Sequence, residues 1–344
     1  MHTLSLFFYS AQAILTIVLM SAGGIILARL KLIDSNSLQI ISRIIFHLLM
    51  PCMLFASFAE TMSLDKLKEL WILPFTAFIY IVGGIALGAA AARILNIMPE
   101  RRSLVTASSG FANAMYLPIP LVAAICSIFP EFSGNPELKA VGMAYVSMFI
   151  ITFSPMMWTL GFRILGEKKH GPIRFSEIIT PPVCGIILGF IVANFPFAKN
   201  AFCGESGLLH PIFTACVSLG NAVVPCAMIV LGGSFAFSPI SKHADRKSIF
   251  TVILVKLIIM PLLAILYIKL LIFSNIIPYG TLQDSLLAIV MLIQAAVPPA
   301  TTLIVISALQ KRNVEEMGSL LQWSYLTSLV TLTLFIVLGM KIFR

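Results

Sequence analysis

Ten apolar runs, most of them twenty residues or longer, alternate along the whole chain with short polar connections. About twenty apolar residues in a helix span the hydrocarbon layer of a bilayer. The pattern therefore predicts membrane helices over Leu6–Leu30, Leu38–Phe58, Leu70–Leu95, Leu104–Phe129 and Ala140–Leu165 in the first half. In the second half it predicts Ile178–Phe195, Leu208–Phe237, Ile249–Phe273, Leu282–Leu309 and Met317–Phe343. The sixth is the shortest and opens on Pro181-Pro182. The first run has no Lys or Arg ahead of it and is longer than a signal-peptide core, so it is expected to be a membrane helix.

The two halves read as copies. Leu48-Leu49-Met50-Pro51-Cys52 in the second span is matched by Ala222-Val223-Val224-Pro225-Cys226 in the seventh, and Gly24-Ile25-Ile26-Leu27 in the first by Gly185-Ile186-Ile187-Leu188 in the sixth. The fourth and ninth spans are each interrupted by a proline pair, Pro118-Ile119-Pro120 and Pro298-Pro299. Five crossings per copy force the second copy to enter from the opposite face. The expected fold is thus an all-α polytopic membrane protein of two inverted five-helix repeats, residues 1–166 and 178–344, joined by a cytoplasmic linker at 167–177. Secondary transporters place their solute between the broken helices of such repeats.

Composition sharpens this picture. With 59% hydrophobic and 11% charged residues, the chain has more apolar surface than one water-soluble core could hide. The net charge of +9 is unevenly placed. Fifteen Lys and Arg, among them Arg29, Lys31, Arg43, Arg93, Arg101, Arg102 and Arg163, fall on the odd-to-even connections, against seven on the opposite face and the termini. By the positive-inside rule both termini face out of the cytoplasm. The basic charge then meets anionic lipid head groups, and no nucleic-acid partner is expected. Of six cysteines, five fall within the predicted spans, so neither a disulfide framework nor a metal site is expected, and no cofactor.

Candidate chemistry gathers where the spans break. A proline pair removes backbone donors in mid-helix, and the freed groups must face protein, water or a solute. Half-helix N-termini bring partial positive charge there, which favours an anion. Ser108, Ser109, Asn113 and Tyr116 lie ahead of Pro118, Gln294 lies ahead of Pro298, and Thr301 and Thr302 follow it. Asn113, Tyr116, Pro118, Pro120, Gln294, Pro298, Pro299 and Thr301 are the substrate-site candidates. The alternative is that the prolines only kink packed helices and the polar groups cap them. Lys256 stands well inside the eighth span, where an ammonium is costly and a functional role is the default, with snorkelling to the head groups as the alternative. His47, four residues before Pro51, is the candidate for proton coupling, against a role as a hydrogen-bonded packing residue. No carboxylate lies deep in a span, which argues against a dehydrated sodium site.

At these residues the chain resembles the auxin efflux carrier family in its short prokaryotic form, whose fold is shared with the bile-acid sodium symporters. The likeness is carried by Arg29-Leu30-Lys31-Leu32-Ile33, Phe46-His47-Leu48-Leu49-Met50-Pro51-Cys52, Asn113 to Leu121, Thr180-Pro181-Pro182, Lys256 to Leu262 and Val297-Pro298-Pro299-Ala300. The resemblance implies a permease of the cell (inner) membrane for organic anions such as malonate, malate or auxin. It implies a crossover formed by the fourth and ninth helices. It also implies a scaffold of helices 1, 2, 6 and 7 that often forms a homodimer, and a mobile transport unit of helices 3–5 and 8–10. Lys256 occupies a position often basic in that family. The chain departs from it at Pro118, where glycine is common, and in the thinned approach Gly110-Phe111-Ala112.

Three rivals remain at this point. A sodium-coupled symporter of the bile-acid type shares the repeats, but this chain has no carboxylate deep in the ninth span, where Asp284 stands only near the outer end. An intramembrane serine protease of the rhomboid type rests only on Gly204-Glu205-Ser206-Gly207 with His210 nearby, in a loop rather than a membrane helix. A purely structural or receptor-like protein would have little use for paired broken helices.

Overall fold

The computed structural model describes residues 3–64, 68, 70–166, 181–237, 245–310 and 313–343. The linker at 167–177, Thr180 and the first residues of the sixth predicted span lie outside them. Among the described residues the regular structure is helical, apart from one isolated bridge considered below. Apart from a single four-residue turn at Pro130–Ser133, the helices are α1 (Thr3–Arg29), α2 (Ser35–Glu60), α3 (Ile72–Ile94), α4 (Pro99–Gly110), α5 (Pro118–Ile128), α6 (Glu137–Leu165) and α7 (Pro181–Asn194). They continue as α8 (Pro196–Cys203), α9 (His210–Phe237), α10 (Arg246–Phe273), α11 (Leu282–Ala296), α12 (Thr302–Leu309) and α13 (Val314–Ile342).

Six of these, α2, α3, α6, α9, α10 and α13, are long and apolar enough to cross a membrane unaided. The fourth and ninth predicted spans are present as two short pieces each, α4 with α5 and α11 with α12. The sixth is the short α7, from which α8 turns away by 110°. That turn was not legible in the apolar pattern: Pro196 starts a helix, and the Asn194 Oδ1 beside it accepts the Leu64 N–H at 2.8 Å.

Three spans contain a wider π turn, at Ile45–Leu49, Met157–Gly161 and Ile253–Ile259. Each lies two residues from a proline, Pro51, Pro155 or Pro261. A proline leaves a carbonyl one turn back without its donor, and the π turns ahead of Pro51 and Pro261 re-register the ladder there, whereas the turn at Met157–Gly161 follows its proline. Thus Met50 N–H reaches back to Ile45 O, and Met260 N–H to Val255 O.

Glycine sets the closest helix contacts. A Cβ added at Gly24 of α1 would lie 2.7 Å from Gly233 N of α9, and one at Gly232 would lie 2.7 Å from the Ser21 carbonyl carbon. The matched glycine of the second half behaves alike, since a Cβ at Gly185 of α7 would lie 2.8 Å from Pro51 Cα of α2. Bare backbones touching in this way give dense packing where no hydrophobic effect separates helix from lipid. α11 is the centre of the apolar core, with every residue from Ser285 to Ala296 buried.

At one end of the bundle α4, α10 and α13 are tied together. Arg101 Nη2 and Nε donate to Glu316 Oε1 at 2.8 and 3.0 Å, and Arg101 Nη1 stands 3.8 Å from Asp245 Oδ2. Asp245 also caps α10, accepting from the N–H groups of Lys247 and Ser248 at 3.3 and 3.2 Å.

Candidate functional site: the crossing of two broken helices

α4 stops at Gly110 and α5 starts at Pro118, a first helical position that suits proline because it needs no N–H. α11 stops at Ala296, and Val297 is extended (φ −66°, ψ 147°), as a residue before proline prefers. The two breaks run through each other antiparallel, with Ala112 opposite Pro299 in a single bridge. Asn113 N–H donates to Pro298 O at 2.7 Å and Ala300 N–H donates to Phe111 O at 2.9 Å. Carbonyls and amides that neither helix can use are thereby satisfied by the opposite break.

Side chains close the crossing. Asn113 Oδ1 accepts the Tyr116 N–H at 2.9 Å, which fixes its amide so that Nδ2 donates to the Tyr325 hydroxyl on α13. Gln294 Nε2 donates across the crossing to Ala114 O at 3.1 Å, while its Oε1 is buried without a partner. Lys256, in the π turn of α10, is 1% exposed, and its ammonium donates to Ala295 O at 3.0 Å. That carbonyl belongs to the last turn of α11, whose partial negative charge the ammonium offsets.

Four helix ends meet here, and they are unequal. The start of α5 has no free N–H in its first turn: Pro118 and Pro120 have none, while Ile119 and Leu121 donate to Met115 O and Leu117 O. α12 begins instead at Thr302, a residue that carries an N–H, while its Leu303 and Ile304 N–H groups donate to Ala300 O and Thr301 O at 3.1 and 3.0 Å. The crossing lies on a groove in α3. A Cβ at Gly84 would lie 2.9 Å from Gly110 Cα, and one at Gly88 would lie 2.6 Å from Ser109 Cβ.

A family model described as "Membrane transport protein" matches residues 9–336 of the chain. The chain belongs to this family, that of the auxin efflux carriers. Among its relatives, Protein PIN-LIKES 7 of Arabidopsis thaliana is 24% identical over 97% of this chain and 97% of its own length. Protein PIN-LIKES 5 of the same plant is 23% identical over 96% of each chain. An uncharacterized transporter of Saccharomyces cerevisiae is 22% identical over 95% of this chain and 94% of its own. Like other carriers of the family, this protein is an integral, multi-pass membrane transporter and not an enzyme.

In this carrier, Asn113, Gln294, Pro298, Pro299 and Lys256 meet at the crossing. Pro118 and Pro120 form the entry of α5 rather than the break itself, and Tyr116 contributes its backbone N–H. His47 does not join them. It is exposed on α2, its Nδ1 3.0 Å from Arg43 O one turn back. The serine-protease pattern does not assemble either: Ser206 is exposed, and the His210 ring lies against Phe202 O at 3.3 Å. Tyr325 was missed by sequence reasoning. Its signal was a buried polar stripe in the last span, Ser319, Ser324, Tyr325 and Ser328. The Gly84-x3-Gly88 spacing of α3 was a second unused signal.

Proposed function

We propose that this carrier moves a small organic anion, a mono- or dicarboxylate or an auxin-like acid, by alternating access at the crossing of α4–α5 with α11–α12. The observation that carries the reading is the buried Lys256 ammonium beside two interrupted helices whose polar groups are closed off from solvent. An ammonium held there by a carbonyl alone is a natural counter-charge for an incoming anion. The Thr301-Thr302 start of α12 adds N-terminal partial charge of the same sign. In this reading the chain crosses the cell membrane ten times as two inverted repeats, with both termini outside. The paired glycine contacts of α1 with α9 and of α7 with α2 support that symmetry. α1, α2, α7 and α9 then form a scaffold that carries a homodimer contact, and the remaining helices move against it.

The test is thermal stabilisation of the purified protein by malonate, malate, succinate, indole-acetate and a neutral analogue, in wild type and in Lys256→Ala. A ligand at a hundred times its dissociation constant stabilises the folded state by about 2.7 kcal/mol. The expected result is stabilisation by one acid, absent with the neutral analogue and lost in Lys256→Ala. No shift with any acid would overturn the anion reading.

A further inference from the structure

Tyr325 touches both the crossing and the helix that the proposed scaffold presents to it. Its hydroxyl accepts from Asn113 Nδ2, an assignment fixed because Asn113 Oδ1 is held by the Tyr116 N–H. The phenolic proton is therefore turned away from Asn113 and free for another acceptor. The Tyr325 ring packs on Phe235 of α9 with centroids 5.3 Å apart and planes at 67°, an edge-to-face contact. One turn earlier on α13, Gln322 Nε2 donates to Phe235 O at 3.3 Å. Among the described residues, other ring contacts between the two sets of helices, such as Phe46 of α2 with Trp158 of α6 at 6.4 Å, do not include a residue hydrogen-bonded at the crossing.

We infer that Tyr325 is a positioning residue that links the state of the crossing to the seating of the transport unit on α9. The Asn113 side chain fixes the break after α4, Tyr325 holds that side chain, and Phe235 holds the Tyr325 ring. A solute acceptor that takes the phenolic proton changes the hold on Asn113 and on Phe235 together. The division into a transport unit and a scaffold comes from the proposed function, but the mechanical link from Phe235 to Asn113 can be measured without any solute.

The experiment is hydrogen–deuterium exchange of the purified, solute-free protein over residues 111–117 and 297–300. The variants are Tyr325→Phe, Phe235→Leu, Phe235→Ala and the double variant Tyr325→Phe/Phe235→Ala, each checked for a single peak on size exclusion. Losing one hydrogen bond is expected to speed exchange at the crossing about three- to tenfold in Tyr325→Phe. Phe235→Ala, on another helix, is expected to speed it in the same segments, with Phe235→Leu intermediate. Adding it to Tyr325→Phe is expected to change little further, because both act through one contact. Wild-type exchange at the crossing in both Phe235 variants, or fully additive effects, would overturn the link. In reconstituted vesicles with malonate as the probe, Phe235→Leu is expected to change the maximal rate more than KM. Failure of every acid to stabilise the protein would remove the anion reading and leave the exchange result standing by itself.

Discussion

Replacing Gly84 by alanine tests how closely the crossing depends on α3. The added Cβ would lie 2.9 Å from Gly110 Cα and 3.1 Å from the Ser109 carbonyl carbon, with Ser109 O nearer still. All three are backbone atoms and no rotamer can relieve them. Carbon atoms are at ease at about 3.5–4.0 Å, so the end of α4 must move by roughly 0.6–1 Å. The hydrogen bonds from Asn113 N–H to Pro298 O and from Ala300 N–H to Phe111 O, at 2.7 and 2.9 Å, follow within three residues. A shift of that size takes them to about 3.5 Å, the edge of a hydrogen bond. Overpacking of this kind costs about 1–3 kcal/mol. The neighbouring Gly83 has nothing within 4 Å of its added Cβ, so Gly83→Ala is the internal control. It is expected to be neutral or to gain from alanine's higher helix propensity, about 0.5–1 kcal/mol. Melting temperatures of the two purified variants in one detergent decide the matter. At about 2–4 °C per kcal/mol, Gly84→Ala should melt about 2–16 °C below Gly83→Ala. Equal melting temperatures would refute the argument that the crossing rests on bare backbone at Gly84.

Asn113→Ala, Lys256→Ala and replacement of Pro298-Pro299 by alanine are each expected to abolish uptake in reconstituted vesicles of whichever acid stabilises the protein, with folded protein still present; normal uptake in all three would remove the site assignment. Asp245→Ala removes the cap of α10 and is expected to cost about 1 kcal/mol at neutral pH. Burial raises the Asp245 pKa, but the Ser248 hydroxyl, the Lys247 and Ser248 amides and Arg101 together hold it below the usual carboxylate value. Its contribution is therefore full above about pH 4 and fades as pH falls through the lowered folded value, so the melting gap to Asp245→Ala should close in acid. A gap that persists unchanged at low pH would contradict the role of the charge. Glu316→Gln, at a partly exposed pair, is expected to cost under about 1 kcal/mol in the same assay.

Much of this arrangement was legible in the sequence because proline is unambiguous about backbone donors. Pro118, Pro120, Pro298 and Pro299 located both breaks to within a few residues, and Lys256 stood out because ammonium groups are rare in apolar spans. The exact limits were less readable. α4 ends at Gly110, eight residues before Pro118, since the extended stretch is set by its partner break rather than by its own residues. Tyr325 was hidden because a tyrosine in an apolar helix has many uses, and only the fold brings it beside Asn113, which precedes it by more than two hundred residues. Gly84 and Gly88 were hidden among the small residues of α3, where spacing alone does not say which helix lies in the groove. α8 escaped because eight amphipathic residues after a proline make no apolar run. The count of ten crossings rests on the hydropathy pattern, while six spans are continuous enough to stand by length and composition.

The contacts of α1 with α9 and of α2 with α7 also bear on how the chain is made. Each joins a helix from one half of the chain to a helix from the other, through glycines at Gly24, Gly232 and Gly185 that leave no room for even a methyl group. When the first half has been inserted during synthesis, the Gly24 face of α1 and the Pro51 face of α2 still lack the α9 and α7 surfaces that cover them. They wait in the bilayer until α7 and α9 emerge. The halves are therefore interlocked rather than appended, and a chain cut at the central linker must be completed by its other half before either can mature.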